Sequence, residues 1–437
     1  MEHDQVRSRS LATLSSALTD HRAMAPLLEA LVADTRFPVD SLWQREFITA
    51  AEFLNAASFH RRYSFDTDLR RADREPLGQV VCVLPGNGPL YTLAKVLAPA
   101  LVTGNRVTFK LPSRLRRSFP LLRELLGDTV PEARLVFPDD PSVRARFVED
   151  SLADPEVGAL VLFGSASWAE RLPQLARGSG AKLIFEGPGN DPAVVLPGAD
   201  PAAAAVQILR GAFYNGGQSC SAIKRVYVHR QIREALLAAL LHRVNDFIAG
   251  DSWTPGVSIG PCVGTALQAR IRRQMQQARE RRAVFHHGDG QLDGEGLFRP
   301  TIVEAGAHLQ LVQEETFYPV VPLVTVADEA EAEDLIGSGR HGLNASVFGP
   351  CSARFLAFLW RTHKGVAVDS LITHPDNREQ LQLVGGFRDS GFIGHWAAAD
   401  GRPTTGSRPD DWQWARDHQY LFRHGRFYLE RELSRAS

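Results

Sequence analysis

A short polar run, rich in glycine and ending in a cysteine, occupies residues 213–220 with the sequence Phe213-Tyr214-Asn215-Gly216-Gly217-Gln218-Ser219-Cys220. The segment before it, 201–209, predicts a helix, and the β-branched run after it, 223–228, predicts a buried strand. Cys220 therefore lies in a loop between regular elements, where rigid scaffolds often display catalytic groups. Gly216 and Gly217 permit backbone conformations that other residues avoid. Because a lone cysteine is most often a small core side chain, the loop alone leaves both interpretations open.

The composition is that of an ordinary globular protein large enough for two or more lobes, with 437 residues, 44% hydrophobic and 23% charged. The formal net charge of −1 gives no electrostatic reason to expect binding to nucleic acid or to an anionic membrane. Residues 1–10 lack the apolar core of a secretory signal, and no apolar run approaches the roughly 20 residues that a membrane span requires. We expect a cytoplasmic protein without a metal site, because the cysteines are widely spaced: Cys82, Cys220, Cys262 and Cys351.

The first half of the chain alternates short apolar runs with helical segments. Residues 1–60 carry apolar residues at helical spacing and predict a layer of packing helices. Predicted strands follow at 79–84, 106–110, 135–137, 159–163 and 182–185. This alternation predicts an α/β fold with a doubly wound parallel sheet, in which ligands lie at the carboxyl ends of the strands. Four residues come just after predicted strands, although the G-x-G-x-x-G dinucleotide motif is absent there: Asn87, Lys110, Gly164 and Glu186.

The second half repeats the pattern after Cys220. It contains an amphipathic helix at 233–248 and a strongly basic helix at 265–282, which we interpret as a solvated surface. Further strands are predicted at 301–303, 320–326, 345–348 and 365–369. The tail, 426–432, alternates like a strand. Because an isolated strand needs a partner, we expect the tail to pair with another subunit of a homodimer or homotetramer.

Several motifs, taken together, resemble those of the NAD(P)-dependent aldehyde dehydrogenases. They follow the family's order and cover roughly residues 75–395. Segments 314–319, 342–348 and 385–391 match its glutamate-phenylalanine-proline motif and two late structural motifs. The remaining matches are Phe213, Asn215, Gly217, Gln218 and Cys220 in the cysteine motif, Glu186, Gly189 and Pro192 in the general-base motif, and Pro85, Asn87, Pro89, Lys95, Ala98, Pro99, Ala100, Gly104, Asn105 and Lys110 in the first cofactor segment.

The resemblance implies an aldehyde dehydrogenase-like α/β architecture. We expect a Rossmann-type cofactor domain (1–62 and 79–188) and an α/β catalytic domain (189–395). A small β extension for oligomerisation would comprise 63–78 and 418–433, and 396–417 would return the chain to the cofactor domain.

The activity that the resemblance implies is oxidation of an aldehyde to a carboxylic acid. Cys220 would add to the aldehyde as a nucleophile, giving a thiohemiacetal that loses hydride and becomes a thioester. A free thiol has a pKa of about 8.5, so we expect the site to favour the thiolate. Asn87 and the backbone N–H of Cys220 would bind the oxyanion, and Glu186 would activate the hydrolytic water. We expect a site of low polarity to raise the pKa of Glu186 toward neutrality.

Cofactor residues follow from the same motifs. Lys110 would bind ribose hydroxyls, Glu315 would hold the nicotinamide ribose, and Phe317 would pack beside the ring. Gly164 and Ser165 would allow a helix N-terminus to face the pyrophosphate.

The choice between NAD and NADP depends on the residues after Lys110. Many NAD-using members have a glutamate three residues later, and here that position is Ser113. Arginines follow, beginning with Arg114. Losing an anion and gaining cations favours NADP, with NAD as the second cofactor.

The asparagine loop departs from the family. It keeps Pro85, which we expect to contact the cofactor, but Gly86 and Gly88 replace the usual aromatic residues. Loss of the two aromatic side chains would either enlarge the substrate tunnel or loosen the oxyanion loop, and it leaves the identity of the small aldehyde substrate open.

Two alternatives remain at this point. A CoA-dependent acyl reductase has the same fold, but members that pass the acyl group to CoA often lack the general-base glutamate, so Glu186 favours hydrolysis. A member that only binds a dinucleotide is the second alternative, and the intact set of Asn87, Glu186, Cys220 and Glu315 argues against it.

Overall fold

A computed structural model of the protein describes residues 2–58, 74–102, 104–137, 143–177, 179–373, 385–395 and 428–430. The helices in these segments are α1 (Glu2–Thr19), α2 (His21–Thr35), α3 (Val39–Leu42), α4 (Thr49–Ser58), α5 (Pro89–Val102), α6 (Ser118–Thr129), α7 (Val143–Ala153), α8 (Ser167–Leu175), α9 (Pro201–Ala212), α10 (Arg233–Arg243), α11 (Thr265–Glu280), α12 (Gln310–Gln313), α13 (Glu329–Gly337) and α14 (Ala353–Thr362). A π-helical turn (Trp43–Ile48) joins α3 to α4, and 3₁₀ turns occupy Tyr214–Gly217 and Val244–Asp246. None of these described helices has the length and apolar character needed to cross a membrane.

The strands in the same segments are β1 (Arg74–Pro76), β2 (Gln79–Val83), β3 (Arg106–Lys110), β4 (Ala133–Val136), β5 (Val157–Phe163), β6 (Lys182–Glu186), β7 (Asp191–Val195), β8 (Ile223–His229), β9 (Val284–His287), β10 (Thr301–Glu304), β11 (Val320–Val326), β12 (His341–Gly342), β13 (Asn344–Phe348), β14 (Gly365–Val368), β15 (Phe387–Arg388), β16 (Gly391–His395) and β17 (Tyr428–Glu430).

In the described chain the first lobe is built on a sheet with strand order β16-β6-β5-β2-β3-β4. β2 to β6 are mutually parallel, and β16 is antiparallel to β6 at the edge. Side chains of β2 alternate between the faces: Val80 and Cys82 pack with α1, α2 and α4 to α6, whereas Val81 and Val83 pack with α7 and α8. Helices therefore cover both faces, which confirms the predicted doubly wound α/β fold.

The second lobe has its own sheet, with described strand order β14-β13-β7-β8-β11-β10-β9. Its strands are parallel except β9, which pairs antiparallel with β10. α9 and α10 cover one face, and α11, α13 and α14 cover the other. β7 is absent from the predicted strands, because its Asp-Pro start is typical of a turn.

The two sheets are joined by a very short crossover. Glu186 ends β6, and residues 187–190 lead directly into β7 of the second sheet. β16 then returns from the second lobe to pair with β6, with Gly391 opposite Glu186. Because β2, β3, β5 and β6 are parallel, the residues that follow them share one edge of the first sheet, as expected for Asn87, Lys110 and Gly164.

Two small ribbons complete the described fold. β12 pairs with β15, and β1 pairs antiparallel with β17, from Arg74 opposite Glu430 to Pro76 opposite Tyr428. The described part of the tail strand therefore has a partner in its own chain. The predicted return segment 396–417 and most of 63–78 and 418–433 lie outside the described residues.

Candidate active site

Cys220 follows a tightly wound turn between α9 and β8. Asn215 and Gly217 have φ values of 56° and 74°, in the left-handed region. A Cβ on Gly217 would lie 2.3 Å from the carbonyl oxygen of Tyr318, so this close approach requires glycine. Nζ of Lys224 donates to the carbonyl oxygen of Gly217 at 2.7 Å. The turn is therefore fixed from several sides, and it leaves Cys220 half-buried as a free thiol.

A continuous chain of polar contacts runs from Cys220 through Glu186 to Lys364. Sγ of Cys220 donates to Oε1 of Glu186 at 3.7 Å, and Nζ of Lys364 donates to Oε2 at 3.1 Å. Burial alone raises the pKa of Glu186, but Lys364, Lys95 and the N–H of Gly385 together hold it below its usual value. The predicted rise of this pKa toward neutrality is therefore wrong, and Glu186 is a carboxylate at neutral pH.

The sulfur of Cys220 is a thiol rather than a thiolate in this arrangement. Burial, with the negative charge of Glu186, raises the pKa of Cys220 to about 12. The expectation that the site favours the thiolate is wrong for this state. Because the Glu186 carboxylate lies within hydrogen-bonding distance of the sulfur, it can accept the thiol proton as the sulfur attacks.

Asn87 connects the loop after β2 to the cysteine loop. Its Nδ2 donates to the carbonyl oxygen of Gln218 at 3.0 Å, and its backbone oxygen accepts a hydrogen bond from Nδ2 of Asn215 at 2.9 Å. A primary amide nitrogen carries two N–H groups. Asn87 can therefore hold the cysteine loop with one of them and offer the other to an oxyanion.

Charged side chains of neighbouring elements support the glycines beside Asn87. The guanidinium of Arg114 donates to the carbonyl oxygen of Gly86, and a Cβ on Gly86 would lie 2.7 Å from Nε of Arg114. Glu46, in the π-helical turn, accepts the backbone N–H of Leu90 at 3.0 Å. Arg114 thus fills the space that a larger residue at position 86 would occupy.

A cavity of about 740 Å³ opens in front of Cys220. It is lined by Cys220, Glu186 and Asn87 and also by Gly164 and Ser165, so the structure brings these five predicted residues together. α8 begins beside Ser165, and no side chain caps its N-terminus. Its first N–H groups suit an anion such as a pyrophosphate. Among the described residues, no three His, Cys, Asp or Glu side chains are grouped so that they could hold a metal ion.

Pro85, Glu315 and Phe317 line the same cavity. Oε1 of Glu315 accepts the backbone N–H of Gly189 at 3.0 Å, and Oε2 lies 3.6 Å from Nη1 of Arg270. Burial raises the pKa of Glu315, although these partners oppose the rise. The oriented carboxyl group suits ribose hydroxyls, so the residues present fit a dinucleotide.

The other three predicted cofactor residues do not line this cavity. Lys110 ends β3 and is 2% exposed, with Nζ 5.9 Å from the centroid of the Phe147 ring. Ser113 is exposed in the turn that follows β3. Arg114 turns toward Gly86 and packs 5.7 Å from the centroid of the Phe37 ring. Their roles toward the cofactor stay predictions.

The sequence prediction missed two cationic residues of the site, Lys364 and Arg45, and it matched a third, Lys95, to the first cofactor segment without giving it a role. Lys364, just before β14, contacts Glu186 across a long stretch of chain, and no motif marks it. Arg45 lines the cavity, although we interpret residues 1–60 as a packing layer. Lys95 lies on the buried side of α5 and also lines the cavity. The signal available for Lys95 was a charged residue within an otherwise apolar helix.

Comparisons with known proteins agree with this geometry. The model of the aldehyde dehydrogenase family matches residues 5–401. The chain is 31% identical over 326 residues to succinate-semialdehyde dehydrogenase (NADP⁺) 1 of Mycobacterium ulcerans (strain Agy99), covering 73% of this chain and 69% of the relative. It is 26% identical over 396 residues to lactaldehyde dehydrogenase of Escherichia coli (strain K12), and the match covers 87% of this chain and 80% of that relative. A crystal structure of an E. coli NADP-dependent enzyme has the same fold, with a TM-score of 0.78 at 23% identity over 90% of this chain and 82% of that one. The chain therefore belongs to the aldehyde dehydrogenase family and is an NAD(P)-dependent enzyme that oxidises an aldehyde.

Proposed function

We propose that Cys220, Glu186 and Asn87 carry out this oxidation and that its product is the free carboxylic acid. The observation that carries the proposal is the line of contacts from Lys364 through Glu186 to the sulfur of Cys220, on the wall of the cavity. A nucleophile, a base within reach of its proton and a group that orients the base are the requirements for covalent catalysis.

The first step is addition of the Cys220 sulfur to the aldehyde carbon. Glu186 accepts the thiol proton while the carbon–sulfur bond forms, and the carbonyl oxygen becomes the oxyanion of a thiohemiacetal. The amide of Asn87 donates to this oxyanion. One such donor is typically worth about 3 kcal/mol in the transition state.

The cavity residues would hold NAD(P) beside this intermediate. Gly164 and Ser165 would bind the diphosphate at the N-terminus of α8, Glu315 would hold the nicotinamide ribose, and Phe317 would pack beside the ring. When bound, the cofactor supplies the acceptor for the hydride that leaves the thiohemiacetal carbon. Cys220 then carries a thioester.

Glu186 performs the second proton transfer. Once the thiol proton has passed to solvent, the carboxylate activates the water that attacks the thioester. The acid is released, and the Cys220 thiol is restored. A base whose pKa is held low is already charged at neutral pH and so is ready for this step.

NADP is the cofactor that we propose to be preferred over NAD. Ser113 is exposed after β3 and carries no charge that would repel a 2′-phosphate. Arg116 and Arg117 are exposed in the same turn, and the Mycobacterium ulcerans relative is named for NADP. Steady-state kinetics with both cofactors test this preference, and a hundredfold preference for NAD would contradict it.

We also propose the division into a cofactor domain (1–62 and 79–188) and a catalytic domain (189–395). The crossover at 187–190 supports this boundary, although β16 pairs with β6 of the first sheet. The β1–β17 ribbon has only two strands in the described chain, so the outer edge of each strand has no paired strand there, which supports a role in a homodimer or homotetramer. A cytoplasmic location agrees with four cysteines that are all free.

Glu186→Gln tests the assignment, because it removes the base but keeps the shape. Because Glu186 acts in both proton transfers, this variant should be acylated slowly, but the acyl adduct on Cys220 should persist because no base activates water. Intact-protein mass spectrometry after prolonged mixing with aldehyde and NADP detects this adduct. Glu124→Gln, at an exposed position of α6, is the matched control and should show no adduct. Normal turnover by Glu186→Gln would remove Glu186 from the mechanism. An adduct that is discharged by CoA and not by water would favour the acyl-CoA alternative.

A further inference from the structure

The wall of the cavity beside Asn87 carries no side chain at Gly88. A Cβ on Gly88 would be in ordinary contact with Glu46, Thr92 and Tyr91, at 3.5, 3.8 and 3.9 Å, so the glycine leaves the space of about one small group free. Gly88 itself lines the cavity together with Cys220. An aldehyde bound at Cys220 can therefore extend its far end along this wall.

Two cationic side chains border this region. The guanidinium of Arg45 lies 4.5 Å from the centroid of the Tyr214 ring, and Nζ of Lys95 lies 5.7 Å from the centroid of the Tyr91 ring. Lys95 is 6% exposed, and all four residues line the cavity. Burial raises the pKa of the Tyr91 phenol and the negative charge of Glu186 adds to the rise, while the charge of Lys95 lowers the pKa of Glu186, so this wall is close to the reacting atoms.

The remaining arginines that line the cavity lie opposite acids that also line it. The pairs are Arg270 with Glu315, Arg273 with Glu314 and Arg340 with Asp389, at 3.6, 3.0 and 2.7 Å. Arg45 differs from them. The acid nearest to it, Glu46 at 3.7 Å, does not line the cavity and accepts the N–H groups of Leu90 and Tyr91. Nη1 of Arg45 donates to the side-chain oxygen of Asn215, an uncharged partner, so no acid that lines the cavity lies opposite Arg45.

We propose that the substrate is an aldehyde with an anionic group at its far end, which Arg45 and Lys95 bind. This inference rests on the proposed function and adds the class of substrate to it. Arg45 suits an anion because no acid of the cavity lining lies opposite its charge, and its contacts with Tyr214 and Asn215 fix the plane of its guanidinium. Buried cations bind an anion strongly, because little water competes for it.

Matched substrates and variants test the site. The kinetic test compares kcat/KM for 4-oxobutanoate, which carries a carboxylate, with kcat/KM for butanal, which has the same carbon chain and no charge. The wild type should prefer 4-oxobutanoate. Arg45→Met and Lys95→Met should each reduce this preference about 10- to 100-fold, mainly through KM, and Arg45→Lys should restore part of it. Arg272→Met, at an exposed position of α11 that does not line the cavity, is the control and should keep the preference.

A binding measurement makes the result independent of turnover. Succinate should bind more tightly than butanoate by calorimetry, and Arg45→Met should remove the difference. Glyceraldehyde 3-phosphate preferred over 4-oxobutanoate would identify the anionic group as a phosphate. Equal use of butanal and 4-oxobutanoate, or a preference that survives both Met variants, would overturn the proposal. If no aldehyde is oxidised but succinate binds through Arg45, the proposed function fails and the anionic site stands.

Discussion

Lys364→Met isolates the contribution of one buried charge to the general base. Nζ of Lys364 lies 3.1 Å from Oε2 of Glu186, and the two side chains are 10% and 6% exposed. At this distance and an effective dielectric constant of about 20, two unit charges attract by about 5 kcal/mol. Part of this attraction offsets the cost of burying the carboxylate, so an opposite charge nearby typically shifts a carboxyl pKa by about 1–3 units.

The variant should therefore change the pH dependence of thioester hydrolysis. With Lys364 removed, burial dominates and the pKa of Glu186 rises. The acid limb of the hydrolysis rate should move to higher pH by about one to three units, because Glu186 must be ionised to activate water. Rapid mixing of acylated enzyme with buffers from pH 5 to 9, followed by mass spectrometry of the adduct on Cys220, measures this rate directly.

The pH dependence of thermal stability is a second, independent measure of the interaction between Lys364 and Glu186. A glutamate whose pKa is lowered by folding stabilises the protein above its unfolded pKa, and this contribution is lost as the pH falls through the folded pKa. Lys364→Met should therefore lower Tm more at pH 8 than at pH 5. At pH 8 the variant buries the charged Glu186 without its lysine partner, whereas at pH 5 protonation of Glu186 removes that buried charge. Lys364→Arg keeps the charge and should retain the wild-type acid limb. An acid limb that does not move in Lys364→Met would refute the assigned role of the lysine, even if Tm falls.

The remaining predictions concern the loops around the sulfur and the cofactor. Asn87→Ala removes an oxyanion donor and should lower kcat about 10²- to 10³-fold in steady-state assays, and a change below threefold would mean that Asn87 is structural. Gly189→Ala places a Cβ 2.0 Å from the carbonyl oxygen of Cys220, so activity and Tm should both fall. The control is Gly127→Ala in α6, where the new Cβ would have no neighbouring atom within 4 Å and activity should not change. Ser113→Glu should lower the ratio of kcat/KM for NADP to that for NAD by at least about tenfold, because the carboxylate repels a 2′-phosphate, and an unchanged ratio would place the 2′-phosphate elsewhere.

The sequence predicts the parallel strands of the first sheet well, because each of them is a short apolar run between turn residues, but it does not predict the antiparallel edge strand β16. β3 has the bounds predicted for it, 106–110. β2, β4, β5 and β6 agree with their predicted bounds to within about two residues. β7 was missed because an Asp-Pro pair opens a fully buried strand. α7 was missed because its charged and apolar residues do not form a clear stripe.

For the candidate site, the sequence predicts which residues come together but not how they are ionised. Asn87, Glu186 and Cys220 line one cavity, as strand ends and motifs predict. The ionisation of Glu186 and Cys220 was predicted wrongly, because a pKa depends on neighbours brought together by folding. Lys364 reverses the effect of burial on Glu186, and nothing in the local sequence around either residue indicates the contact. The direction of a side chain is equally hard to predict from sequence. Arg114 was expected to contact the cofactor, but its guanidinium donates to the carbonyl oxygen of Gly86.

The pairing of β16 with β6 has a consequence for synthesis. The edge of β6 that carries Glu186 is completed only by residues from the far end of the chain: Gly187 donates its N–H to the carbonyl oxygen of Ser390 at 2.9 Å, and Gly391 lies opposite Glu186. While the ribosome makes the second lobe, this edge of the first sheet is left unpaired, and nascent edges of this kind invite wrong pairing and chaperone binding. The general base would thus reach its place only after nearly the whole second lobe has emerged, so a chain truncated before β16 should be both inactive and prone to aggregate.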